Sequence, residues 1–163
     1  MVESADSNES TTAARVLLKL DPEGTMAAFI KNLESADVNV RRTTAWALMT
    51  WKGAGQPAIP ALVKCLKDTD NKVKVNAAVA LREIGREPDL VVPALMENLK
   101  DPDLDVRSIT AIALGSFGTR AKAAVPTMIK LIEENSTNEL TAEGLYDALV
   151  RIDPEAAEKL AGK

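Results

Sequence analysis

Apolar and polar positions along this chain recur with a fixed spacing. Pro60, Pro93 and Pro126 stand 33 residues apart, and the text around them repeats: Ile59-Pro60-Ala61-Leu62, Val92-Pro93-Ala94-Leu95, Val125-Pro126-Thr127-Met128. Six residues after each proline comes Leu66, Leu99 or Ile132. A second block keeps the register. Val40, Val73 and Val106 open it, Ala45, Ala78 and Ala111 follow, then Leu48, Leu81 and Leu114, and Trp51, Ile84 and Phe117 close it. A fourth copy fits after an insertion of two residues near Asn135-Ser136, which brings Leu149 and Ile152 into the columns of Leu81 and Ile84. An isolated second half stands first: Leu17-Leu18-Lys19-Leu20-Asp21-Pro22-Glu23 echoes Leu149-Val150-Arg151-Ile152-Asp153-Pro154-Glu155. A period of this length marks an array of supersecondary units.

Each unit predicts two helices. The first begins at its proline, whose missing N–H would be unpaired at that position anyway. Its apolar residues follow at helical spacing, as in Leu62, Val63 and Leu66 or Leu95, Met96 and Leu99. A polar turn such as Asp68-Thr69-Asp70-Asn71 ends it. The turn column Asp37, Asp70, Asp103 and Asn138 supplies N-caps for the second helix. That helix runs from about Val73 to Ile84, and Gly85 and Gly118 follow it in two copies, as expected just past a helix C-terminus. No segment alternates with period two over a strand's length, so the reading is all-α. Neither helix of a unit can bury its apolar face alone, and stacking the units gives an α-solenoid.

Composition narrows the chemistry. The chain has 163 residues, enough for one domain with a sizeable core. Aromatics are 3%, so that core must be built from Ala, Leu, Val and Ile. There is no histidine, which removes Ser–His–Asp and Cys–His catalysis and imidazole metal sites. One cysteine, Cys65, excludes an intrachain disulfide and a thiolate cluster, and beside Leu66 it reads as a small buried thiol. Trp51, in the Ile84 column, reads as core. Gly53-Ala54-Gly55 lacks the lysine and strand of a phosphate loop and reads as a longer inter-repeat turn. No cofactor and no metal are expected, and no acidic pair stands at a catalytic spacing.

Net charge is −4, which argues against nucleic acid as a partner. No apolar run approaches the ~20 residues that cross a bilayer, so no membrane association is expected. Residues 1–10 are polar and acidic and lack a secretory signal's basic start. They read as a disordered tail ahead of a single repeat domain over 11–163, in the cytoplasm by default. The second half that opens the chain fits a piece of a longer array. The polar end, with Glu155, Glu158 and Lys159, fits a cap.

The motif Pro-Ala-Leu-x-x-x-Leu-Lys-Asp, then Val-Arg/Lys, then Ala-x-x-Leu-x-x-Ile-Gly resembles the HEAT repeat. The closest branch is the short bacterial PBS-lyase HEAT-like type, and the resemblance covers roughly residues 13–160. It implies a right-handed α-solenoid of stacked antiparallel helix pairs, with about four repeats of ~33 residues plus a half repeat. HEAT repeats often carry an Asp in the turn and an Arg six residues on. Asp101 and Arg107 match, Asp68 and Lys74 form a weaker version, and Ser35 ahead of Arg41 leaves the acid missing. The resemblance gives Asp101 and Arg107 a structural bracing role.

The second helices of such a stack line its concave face, the usual binding surface of a solenoid. The groove positions there are Arg42, Trp46 and Met49; Val75, Val79 and Arg82; Ser108, Ile112 and Gly115; and Glu143, Asp147 and Val150. Of these, Arg42, Trp46, Met49, Val75, Val79, Arg82 and Ile112 form the candidate partner-binding set: an apolar stripe flanked by two arginines. Buried core and a homodimer contact are the competing readings of the same side chains. The functional expectation is a non-catalytic scaffold that binds another protein or peptide in the groove. The alternatives are an accessory or lyase subunit acting on a bilin chromophore, after the branch's name, and a homo-oligomeric structural module.

Overall fold

The computed structural model describes residue 16, residues 20–134 and residues 139–162, with the side chains of 139–141 excepted. The expected tail over 1–10 and the Asn138 cap lie outside the described residues. Every described element is a helix, and the described residues form two compact units that divide between Ile84 and Gly85.

The first unit contains α1 (Pro22–Leu33), α2 (Val38–Leu48), a 3₁₀ segment (Met49–Ala58), α3 (Ile59–Cys65) and α4 (Asn71–Ile84). The second contains α5 (Pro88–Asn98), α6 (Leu104–Ser116), a 3₁₀ segment (Gly118–Ala124), α7 (Val125–Glu134), α8 (Glu139–Ile152) and α9 (Pro154–Ala161). Within the units, α2 packs on α4 and α6 packs on α8.

Aspartate side chains start the helices as the turn column predicts. Asp37 accepts from the Asn39 N–H at 2.8 Å, Asp70 from Val73 at 3.0 Å and Asp103 from Val106 at 3.1 Å. Each bond satisfies a donor that the helix itself leaves unpaired. The echo between the chain's two ends is structural too. Asp21 caps α1 through Gly24 at 3.0 Å, Asp153 caps α9 through Ala156 at 3.2 Å, and each helix then opens on a proline.

The proline rule fails once. Pro60 and Pro126 lie in the first turn of α3 and α7, but Pro93 lies inside α5, which starts five residues earlier at Pro88. Pro88 satisfies the same first-turn requirement. Where the other two repeats place a 3₁₀ segment before their proline, this one places the first turn of α5. The glycine column behaves as expected, with φ of 62° at Gly85 and 53° at Gly118. One period before Gly85 stands Lys52, with φ 47° and ψ −133°, a conformation that glycine adopts at little cost and lysine does not.

The repeat columns are the core. Ala45, Ala78 and Ala111 are fully buried, as are Leu48, Leu81 and Leu114, and Leu149 and Ile152 of the fourth repeat. Leu33, Leu66 and Leu99 fill the first-helix column. Each fully buried leucine contributes about 1.5–3 kcal/mol of transfer free energy. The bulkier column Trp51, Ile84 and Phe117 is buried as well. Trp51 also stacks on Phe29, with ring centroids 4.4 Å apart and a 42° tilt. Glycine at position 55 lets the 3₁₀ segment press on α4, because a Cβ there would sit 2.9 Å from Ile84 Cδ1.

Candidate interaction surface

In the first unit, α2 carries Arg42 and Trp46, Met49 follows its last residue, and α4 carries Val75, Val79 and Arg82. All six are half-buried. The buried neighbours on the same helices are Thr44, Ala45, Ala47 and Leu48 on α2 and Ala77, Ala78, Ala80 and Leu81 on α4. The stripe residues are therefore less buried than these neighbours, which lie beneath them.

Its two arginines differ from their expected role as free flanking charges. Arg42 Nε donates to Asp70 Oδ1 at 2.8 Å, and Nη2 donates to the other carboxylate oxygen. This two-pronged bond holds the Asp70 carboxyl at about 2, well below its ordinary value. Asn76 Nδ2 donates to the Arg42 carbonyl at 3.0 Å and ties α4 to α2 beneath it. Arg82 Nε and Nη2 both donate to Glu83 Oε1, at 3.0 and 2.8 Å. The stripe is thus bordered by ion pairs, so a partner meets little net positive charge beside Trp46.

In the second unit, Ile112 on α6 is 37% exposed and Val150 on α8 is 41% exposed. Glu143 and Asp147 are exposed and Ser108 is half-buried. Gly115 departs from its expected groove position. It is buried, and a Cβ on it would lie 3.1 Å from the Ala148 Cα, so it serves the close approach of α6 and α8.

The bracing ladder also differs from the pairing of an Asp with the Arg six residues on. Arg107 Nη1 donates to the backbone carbonyls of Asp101 and Pro102 at 2.8 and 2.9 Å, while the Asp101 carboxylate accepts from the Asp103 N–H. Arg41 makes the same carbonyl bonds, to Ser35 and Ala36, and so needs no acid at position 35. Its other edge reaches the next repeat, with Nε to Asp68 Oδ2 at 2.7 Å and Nη2 to Asp68 Oδ1 at 3.0 Å. In this turn the acid, Asp68, is thus the acceptor for the preceding repeat's arginine. Nothing in the sequence columns marked Arg41 and Asp68 as partners, although their 27-residue separation could have been tried.

Cys65 is buried between α1 and α3. Its thiol donates to the Leu33 carbonyl at 3.7 Å, and burial pushes its pKa up to about 11. Among the described residues no three His, Cys, Asp or Glu side chains are grouped to hold a metal ion, and no helix is long and apolar enough to cross a membrane.

Paired helices, capped by turn aspartates and cross-braced from one repeat to the next, define an α-helical repeat protein of the solenoid class. The chain belongs to the HEAT repeat family: a model of HEAT repeats matches residues 1–82 and 26–103, and a model of the single HEAT repeat matches residues 91–121. It is similar to a chain in the complex of CpcE and CpcF of phycocyanin lyase from Nostoc sp., with 28% identity and a TM-score of 0.73. That likeness covers 84% of this chain and 56% of that one, and is consistent with the PBS-lyase HEAT-like branch. It is also similar to an engineered protein, with 25% identity and a TM-score of 0.66, over 98% of this chain and 81% of the other. No curated protein matches the sequence.

Proposed function

We propose that this protein is a non-catalytic scaffold that binds another protein or peptide on the face formed by α2 and α4. The observation that carries the reading is the row Trp46, Met49, Val75 and Val79, half-buried on two adjacent helices above the alanine and leucine core. Tryptophan at the centre of such a patch is a frequent binding hot spot. The paired arginines give the border a fixed polar geometry, as at the rim of an interface.

Light scattering coupled to gel filtration, on wild type and on Trp46→Asp, tests it. A folded monomer in both, with a partner held by wild type and released by the variant, supports the scaffold. A wild-type dimer that the substitution splits assigns the face to a second copy, in the cytoplasm or elsewhere. Retention of the partner by a folded Trp46→Asp variant removes the assigned face.

The likeness to a phycocyanin lyase chain favours one second reading, an accessory or lyase subunit acting on a bilin chromophore. Titration with a free linear tetrapyrrole, followed by its visible absorbance, distinguishes it. An unchanged spectrum at micromolar protein removes this reading and leaves the scaffold.

A further inference from the structure

Arg41 and Arg107 occupy equivalent places in their repeats and hold their own turns in the same way, through Nη1 and two backbone carbonyls. They differ at the other edge of the guanidinium. In Arg41 that edge clasps the Asp68 carboxylate. In Arg107, Nε and Nη2 have no partner among the described residues, and the side chain lines an open cleft of about 710 Å³. The reason lies in helix length. The residue two periods beyond Asp68 is Glu134, but α3 stops at Cys65 whereas α7 runs on through Glu134. Glu134 is therefore held on its helix, where it engages Lys130 Nζ at 3.6 Å, and it does not take the Asp68 position.

The rest of the cleft suits an acid carried on a chain. Lys100 and Lys130 join Arg107 in its lining and outnumber its two carboxylates, Glu134 and the Asp101 side chain that accepts from the Asp103 N–H, while Leu99 and Leu131 supply apolar wall. Its volume suits a few residues of peptide. We infer that this cleft binds an acidic side chain of an extended peptide segment from a partner protein, whose carboxylate takes on Arg107 the two-pronged place that Asp68 takes on Arg41. The site lies in the second unit, involves none of the stripe residues, and stands or falls independently of them.

The probe is a fluorescein-labelled, C-terminally amidated hexapeptide of alternating Asp and Leu, with an Asn-for-Asp peptide as control, read by anisotropy. Wild type binds the Asp peptide, the Asn peptide binds at least about tenfold more weakly, and added salt weakens the first selectively. Arg107→Gln loses about tenfold or more. Because Arg107 also ties its own turn, Glu134→Gln is the second variant: it removes the carboxylate that competes for the cleft, and binding tightens about threefold. Equal binding of the two peptides, or undiminished binding by a folded Arg107→Gln variant, overturns the inference. So does displacement by inorganic phosphate as effective as by unlabelled Asp peptide, which would make the cleft a general anion site. A thermal melt of Glu134→Gln well below wild type also overturns it, since Glu134 would then be the ladder's own last acid.

Discussion

The guanidinium of Arg41 lies 2.7 Å from the Asp68 carboxylate, across 27 residues of chain, while its remaining nitrogen holds the carbonyls of Ser35 and Ala36. One side chain thus fastens two successive turns. Arg41→Lys keeps the charge but can satisfy only part of this set, because an ammonium is a point donor without the planar fork. Thermal melts should rank wild type above Arg41→Lys and Arg41→Lys above Arg41→Ala. Lys64→Ala, which breaks only the exposed pair with Glu34, should change little. A double-mutant cycle of Arg41→Ala with Asp68→Ala should show coupling larger than that of Lys64→Ala with Glu34→Ala.

Lys52 has the positive φ that its repeat equivalents, Gly85 and Gly118, meet with glycine. Its side chain is exposed, so replacement removes strain and no packing. Lys52→Gly should stabilise the protein by about 1 kcal/mol, net of the extra freedom of the unfolded chain. Scanning calorimetry should show a rise of roughly 2–4 °C.

Thr110 is fully buried on α6, and its hydroxyl has no hydrogen-bond partner among the described residues. Its repeat equivalent in α4 is Ala77, also fully buried. An unpaired buried hydroxyl costs about 1–3 kcal/mol, which a methyl of similar size avoids. Thr110→Val should raise the urea midpoint without changing the slope, and Thr110→Ala should not.

Asp70 contributes stability as an anion, because Arg42 holds its pKa at about 2 against an ordinary 3.8. That contribution is complete above pH 4 and is lost as pH falls towards 2. Asp68, also lowered by its arginine, adds to the loss in the same direction. Urea midpoints of wild type should therefore fall steeply over this window. Arg42→Gln should start lower at neutral pH and show a shallower fall, since Asp70 then titrates nearer its unfolded value.

Much of the fold was legible because its signals are local or strictly periodic. The alanine and leucine columns became the buried core, and the turn aspartates became caps that act two or three residues away. Three features were not legible for a common reason: each depends on geometry beyond one repeat or on a choice between equal options. Arg41 finds its acid in the next turn. Pro88 and Pro93 both satisfy the rule for a helix start, and only packing decides that α5 begins at the earlier one. Arg42 and Arg82 read as free charges until their own chain's carboxylates are seen beside them. Among the candidate surface residues, the lesser burial of Trp46, Val75 and Val79 relative to the alanine and leucine columns followed from helical phase. The burial of Gly115 did not, because it reflects how closely Ala148 approaches.

Cys65 makes the first unit a clock. It is the chain's only thiol, it lies under α1, and with a pKa of about 11 only about one part in a thousand is thiolate at pH 8. Alkylation of the closed form is doubly suppressed, by access and by charge. The rate at which iodoacetamide labels this protein should therefore equal the exposed-thiol rate multiplied by the fraction of time that α1 and α3 are parted. Substitutions confined to the second unit can then be sorted by whether they alter that rate. Those that do report that the two halves open together, and those that do not report that each half opens alone.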